Sequence, residues 1–247
     1  MEHSEPARHS HPHIMALMSD APVDPRWPKL LSLSVHEFRT PMTVVAGYIR
    51  MLLKDRAGPL SDQQRNLLEQ AEKSCARLTA LLSEVSDLSN LEGGTAPFNR
   101  QSTDLHRALR DAVGQLPPLP DRDVPVDLQL DGDSAPIDAD PVRLSQAMAS
   151  VIRALQRELI SETPLVVRQR RDDDGHYEIQ IGDDDTLALL EREDPAARET
   201  FDEWRGGSGL IRPVARRVIE AHRGRIWGAP GGRKAGARIR FPHPPNP

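Results

Sequence analysis

With 247 residues, 38 % of them hydrophobic and 28 % charged, the chain has room for one large or two modest domains and the composition of an ordinary soluble globular protein. Its net charge of -5 argues against nucleic acid as the main partner, because phosphate backbones select basic surfaces. No uncharged apolar run reaches the roughly 18 to 20 residues of a membrane span. The one cysteine, Cys75, excludes an intrachain disulfide and fits a reducing, cytoplasmic setting.

Residues 1–23 are rich in Pro, Ser and His, follow no helical or strand period, and are expected to form a mobile leader. His9, His11 and His13 within it read as part of a tail and not as a metal site. From Trp27 to Lys54 the apolar positions run Leu31, Val35, Phe38, Met42, Val45, Ile49 and Leu52, alternating steps of four and three. That is a helical seam with coiled-coil spacing. A second seam runs Leu67, Ala71, Cys75, Leu78, Leu82, Val85 and Leu88, with Ser61 and Gln64 spaced as a capping box before it and Gly93-Gly94 as its stop. Only Asp55 to Leu60, including Gly58-Pro59, separates the two helices, so they fold back antiparallel. One hairpin has too little surface to bury both seams, and two make a four-helix bundle. Residues 24–95 are therefore expected to be a homodimerisation domain.

The remainder, residues 100–247, reads as a mixed α/β domain. Helices are predicted at Leu105 to Leu116, Asp140 to Ile160 and Pro213 to His222. Strands are predicted at Val124 to Leu130, Leu165 to Arg171, His176 to Ile181, Arg225 to Trp227 and Ala237 to Phe241. Charge is unevenly spread along it: Asp121 to Glu203 holds 22 acidic and nine basic residues, whereas from Gly207 onward nine basic residues accompany a single acid, Glu220. The simplest account is two solvated faces of one domain. His106, His176 and His222 have no partners at ligand spacing and read as structural, and no metal site is expected.

Within the first helix stands Ser34-Val35-His36-Glu37-Phe38-Arg39-Thr40-Pro41. His36 follows seam residue Val35, so it turns about 100° from the bundle core toward solvent, and Thr40 shares its face one turn later. Pro41 cannot bond to the carbonyl of Glu37, yet the seam stays in phase across it, so one bent helix is expected. A neutral imidazole nitrogen can attack phosphorus near neutral pH, and a neighbouring carboxylate can hold the opposite ring N–H. In this segment the sequence strongly resembles the phosphoacceptor box of the sensor histidine kinases of two-component systems. The resemblance implies that His36 carries phosphate, that Glu37 assists its transfer, and that Thr40 helps place water for dephosphorylating a partner.

The same resemblance continues through Asp140 to Gln146, Ile179 to Asp183, Phe201 to Trp204, Gly207 to Leu210 and Arg216 to His222, which look like the landmarks of the family's ATP-binding domain. It implies a fold of α plus α/β class: a dimeric helical hairpin followed by a histidine-kinase-type ATPase-like α/β sandwich. Asp183 matches the adenine-reading aspartate, and Gly207 and Gly209 the second glycine box. Departures are many. The two box asparagines fall on Ser150 and Ala154, and a methyl group gives Mg²⁺ no ligand. Arg157 stands for the phosphate-facing lysine. Asp185 and Leu187 replace glycines, Ile211 and Arg212 replace a glycine and a leucine, and almost nothing separates Trp204 from Gly207 where a nucleotide lid belongs. Asp183, Gly207 and Gly209 are thus expected to be vestiges of an ATP site, with no cofactor bound.

The function expected is phosphotransfer between His36 and the aspartate of a response-regulator receiver domain, with no nucleic-acid or membrane partner. An active soluble histidine kinase using ATP and Mg²⁺ is the alternative, and a pseudokinase scaffold that binds a regulator without chemistry is a third. No sensory segment precedes the hairpin in this sequence, so input is expected to come from another protein.

Overall fold

A computed structural model describes residues 27–120, 122–160, 163–204, 209–232 and 235–243. The leader at 1–23 and Gly207 lie outside the described residues. Two long helices come first, α1 (Trp27–Leu53) and α2 (Asp62–Glu92). Pro41 lies inside α1, which continues through it, as the unbroken seam requires. Ser61 and Gln64 form the expected box: the serine hydroxyl accepts from the Gln64 N–H at 3.3 Å and the Gln64 side chain accepts from the Ser61 N–H at 2.9 Å. Gly93 caps the far end, and Gly94 turns the chain away with a φ of 64°. The ends of the hairpin are tied by the Ser89 hydroxyl, which donates to the Pro28 carbonyl at 2.6 Å.

The α/β domain follows with β1 (Gln101–Asp104), α3 (Leu105–Gly114), β2 (Val126–Leu130), β3 (Pro136–Ala139), α4 (Pro141–Glu158), β4 (Leu165–Arg171), β5 (Tyr177–Gly182), α5 (Asp184–Arg192), α6 (Ile211–Ala221), β6 (Arg225–Gly228) and β7 (Ala237–Phe241). Strands β1 and β3 make a small antiparallel pair. The main sheet has the order β2-β4-β5-β7-β6, parallel only between β2 and β4. Helices α3, α4 and α6 cover one face. Leu105, Leu109, Leu144, Met148, Ile152, Leu155 and Ile219 meet Val167, Ile179, Ile181, Ile226 and Ile239 there in one continuous core.

The opposite face is where sequence and structure part. Strand β5 alternates apolar and polar residues, as a strand with one wet face would, yet every one of its residues is buried. Helix α5, absent from the sequence reading, lies over the polar side and packs Leu187 and Leu190 on Val166 and Ala229. Glu178 and Arg238, buried beneath, satisfy each other at 2.7 Å, and Arg238 also reaches Glu193 at 3.5 Å. A buried charge is tolerated only when paired in this way. The short strands β1 and β3 were likewise not expected.

The linker between hairpin and sheet is fastened by the N-terminus of α4. One Asp140 oxygen accepts from Val142 and Arg143 N–H groups at 3.1 and 3.0 Å, capping the helix, while the other accepts from the Asn99 N–H at 2.9 Å. Behind it His222 is buried with its tautomer fixed: Nδ1 donates to the Val218 carbonyl at 2.6 Å and Nε2 accepts from the Asp140 N–H at 2.9 Å. Burial, helped by the charge of Arg100, holds this ring below the usual histidine range against the opposing pull of the Val218 carbonyl. The folded state thus binds fewer protons than the unfolded one, so this contribution to stability is present above the unfolded pKa of about 6.5 and is lost as pH falls toward the lower folded value. The urea midpoint is expected to drop between about pH 7.5 and about pH 5.5, and His222→Gln, although less stable throughout, is expected to drop less steeply. Equal slopes for the two proteins would place the titration elsewhere.

Candidate functional site

His36 stands on the outside of α1, its side chain 75 % exposed, while Val35 beside it is only 4 % exposed and packs toward α2. Its Nδ1 lies 3.5 Å from a Glu37 carboxylate oxygen, the outer edge of hydrogen-bonding range. Arg39 and Thr40 are exposed on the following turn. The ring borders a shallow groove formed by Pro28, Lys29, Ser32 and Leu33 on α1 and by Ser89, Asn90 and Gly93 where α2 ends. His36, Glu37 and Thr40 are therefore together and open to a large partner. Asp183 and Gly209 are not part of this group, lying in the α/β domain.

The seam divides into two columns. Val35 and Ile49 are buried between α1 and α2, with Met42 half-buried between them. Phe38, Val45 and Leu78 are 60 %, 46 % and 49 % exposed, and Tyr48 extends the same apolar arc at 63 %. One hairpin covers part of its apolar seam, and the rest, with Tyr48, faces outward.

In the α/β domain, most of the residues that the resemblance assigns to a nucleotide site make contacts within the domain itself. The Asp183 carboxylate caps α5, accepting from the Thr186 N–H at 2.8 Å. Thr186 is buried against two glycines: a Cβ added at Gly236 would come within 2.4 Å of its methyl carbon, and one at Gly182 within 2.7 Å. Leu187 is buried on the outer sheet face. Ser150 bonds back to the Gln146 carbonyl at 2.8 Å, and Ala154 is buried. Arg157 is exposed. Arg212, only 2 % exposed, places a guanidinium nitrogen 3.0 Å from the Glu158 carboxylate, with its charged group 5.5 Å above the Phe201 ring. This pair bridges α4 and α6.

The N-terminus of α6 meets the hairpin. Leu210 precedes the helix without a side-chain cap of its own, and its N–H donates instead to the Glu84 carboxylate on α2 at 3.0 Å. Gly209, with φ of 68°, presses so close that a Cβ there would lie 3.0 Å from Leu81 and 3.1 Å from Glu84. Farther along, Arg217 pairs with Glu92.

Sequence reasoning missed these long-range contacts, and it gave His176 no ligand-spaced partner. The tight turn after β4 corrects that last point, bringing Asp172, Asp174 and His176 within 4.8 Å of one another. Arg240 lies among them, 2.5 Å from Asp172 and 2.6 Å from Asp174, so the carboxylates already hold a cation.

Residues 29–94 match the model of the His Kinase A (phospho-acceptor) domain. Over 208 residues the chain is 26 % identical to the circadian input-output histidine kinase CikA of Synechococcus elongatus, covering 80 % of this chain and 27 % of that protein. It is 26 % identical to the sensor protein GacS of Pseudomonas syringae pv. syringae over 77 % of this chain and 22 % of that one. The chain thus spans about a quarter of the length of these curated relatives. A crystal structure of full-length ShkA in complex with AMPPNP is similar in fold, with a TM-score of 0.64 at 22 % identity, covering 88 % of this chain and 46 % of that one. Among the described residues no helix is long and apolar enough to cross a membrane. The hairpin thus matches a His Kinase A (phospho-acceptor) domain at residues 29–94, and the chain as a whole is similar to histidine kinases and sensor proteins.

Proposed function

We propose that this chain is a two-component signalling protein that works by phosphotransfer alone: His36 exchanges a phosphoryl group with the aspartate of a response-regulator receiver domain, and the α/β domain acts as a docking surface. The observation that carries this reading is the buried Arg212–Glu158 pair. It spans α4 and α6, the two helices that the resemblance would make the walls of a nucleotide site, and breaking a buried pair to admit phosphates leaves a charge stranded. Mg-ATP does not fit the residues present. Ala154 supplies no oxygen for the metal, Asp183 is committed to capping α5, Thr186 fills the space over Gly182 and Gly236, and Glu84 already occupies the N-terminus of α6.

The chemistry at the hairpin needs no nucleotide. With Nδ1 toward Glu37 on a largely exposed ring, Nε2 is the nucleophile. It attacks the phosphorus of the receiver's aspartyl phosphate, an N–P bond forms as the acyl P–O bond breaks, and the aspartate leaves as a carboxylate. Glu37 offsets the positive charge that develops on the ring. By the resemblance, Thr40 places the water that attacks the receiver's phosphate when the flow is hydrolytic. Two such hairpins pair through the arc of Phe38, Val45, Tyr48 and Leu78, too large an apolar face to leave in water. The cytoplasm supplies the reducing setting and the receiver.

Three outcomes follow from this proposal. Light scattering at micromolar concentration is expected to give a dimer, and Val45→Asp or Leu78→Asp a monomer, because each buries an unpaired charge. A monomeric parent protein would remove the dimer from the proposal. Incubation with a phosphorylated receiver is expected to label the parent protein and not His36→Gln, which remains dimeric. Thr40→Ala is expected to label normally while sparing the receiver's phosphate for longer. Label on His36→Gln would mean another acceptor. Calorimetry with Mg-ATP is expected to show no binding in the low micromolar range, since losing two or three charge-assisted contacts at about 1.5 to 3 kcal/mol each weakens affinity by roughly 100-fold or more. A low micromolar Kd would return the active kinase to first place.

A further inference from the structure

A cleft separate from the His36 groove lies at the β6 edge of the main sheet. Strand β6 is the last in the order: it pairs with β7 along its length, and on its other side Trp227 makes a single bridge to Thr200. Ile226 points toward the helices, so Arg225 and Trp227 share the outer face, where Arg225 stands opposite Arg240 and Trp227 opposite Arg238. Arg198, from the segment after α5, lays its guanidinium 4.7 Å from the centre of the Trp227 ring. Arg223 enters from a left-handed turn with φ of 61°. Together with His176 and Pro242 these residues enclose a cleft of about 440 Å³, within the size range of small-ligand sites. Four of its seven lining residues are arginines and none is a carboxylate.

The charges there are not balanced from within. Arg240 is held by Asp172 and Asp174, and Arg238 by Glu178 and Glu193. Among the described residues, Arg198, Arg223 and Arg225 form no ion pair. The Nε of Arg198 is buried and donates to nothing. Burial above all, and then the like charges of Arg238 and Arg240, pull the Arg198 pKa below its ordinary value, with Glu178 and Glu193 opposing. A desolvated cation facing other cations is relieved by an anion.

We propose that this cleft binds a phosphate group carried by a small molecule, with Arg198, Arg223 and Arg225 as its contacts and Trp227 as the wall that holds Arg198 in place. Guanidinium forks match phosphate oxygens two at a time, and three of them converging suit a multiply charged oxyanion better than a lone carboxylate. The enclosed shape favours a small ligand over an acidic protein segment, which would need a longer track. The cleft opens on the sheet face opposite α4 and α6, so it is separate from the residues that resemble a nucleotide site and independent of whether those bind ATP.

The test is titration of the full chain with inorganic pyrophosphate at constant ionic strength, followed by calorimetry and by tryptophan fluorescence. One saturable site per chain is expected, with a Kd below about 1 mM at low salt and weakening as salt rises. Arg223→Gln and Arg225→Gln, both at exposed positions that leave no cavity, are each expected to weaken binding at least about tenfold. Arg107→Gln on α3, whose side chain is 83 % exposed and far along the fold, is expected to change nothing. The proposal fails if pyrophosphate does not saturate, if Arg107→Gln weakens binding as much as the cleft variants, or if an acidic peptide binds the cleft and pyrophosphate does not.

Discussion

The arrangement of the molecule depends on a carboxylate of one domain closing a helix of the other. A helix begins with four N–H groups that its own turns cannot satisfy, and with the positive end of its dipole. In α6 no residue of the local chain supplies a side-chain cap, and Glu84 on α2 supplies the oxygen. This contact is possible because Gly209 has no side chain and takes a left-handed conformation that other residues adopt only at a cost. The same helix end is the one that the resemblance to ATP-binding relatives would assign to phosphate. In this chain an anion does sit there, and it belongs to the hairpin.

Around that contact the α/β domain is consolidated by charges turned inward. Arg212 with Glu158 joins α4 to α6 on one side of the sheet, and Arg238 with Glu178 joins β7 to β5 on the other. Buried ion pairs contribute little net stability compared with apolar packing, but they penalise any rearrangement that separates the partners. Any movement of α6 away from α4 must separate Arg212 from Glu158.

The hairpin was legible because its signals are local and periodic: the four-three spacing, the Ser61 and Gln64 box, and the Gly93-Gly94 stop each describe their own neighbourhood. The phosphoacceptor segment was legible for the same reason, as six matching residues lie within two helical turns. Helix α5 escaped because Asp183 to Leu187 was compared with a glycine-rich loop and found wanting. Asp183 as cap, Asp184 and Asp185 in the first turn, and Leu187 and Leu190 three apart are helix-start signals all the same. The polar alternation of β5 pointed to water, whereas the face is covered, because the pairing of Glu178 with Arg238, 60 residues away, leaves no mark on local sequence. Glu84 with Leu210 and Glu92 with Arg217 are hidden for the same reason, each joining residues more than a hundred positions apart.

Glu84 and Glu92 are separated by eight residues, about 12 Å along the axis of α2. A domain fastened at one point can swivel, whereas two points so far apart define a line and fix a heading. The α/β domain is therefore keyed to α2 in the way a flag is keyed to its pole. Torsion of α2 about its own axis swings the whole domain through an arc, and the arc grows with distance from the helix. A small twist of α2 therefore becomes a larger displacement at the edge of the sheet farthest from it.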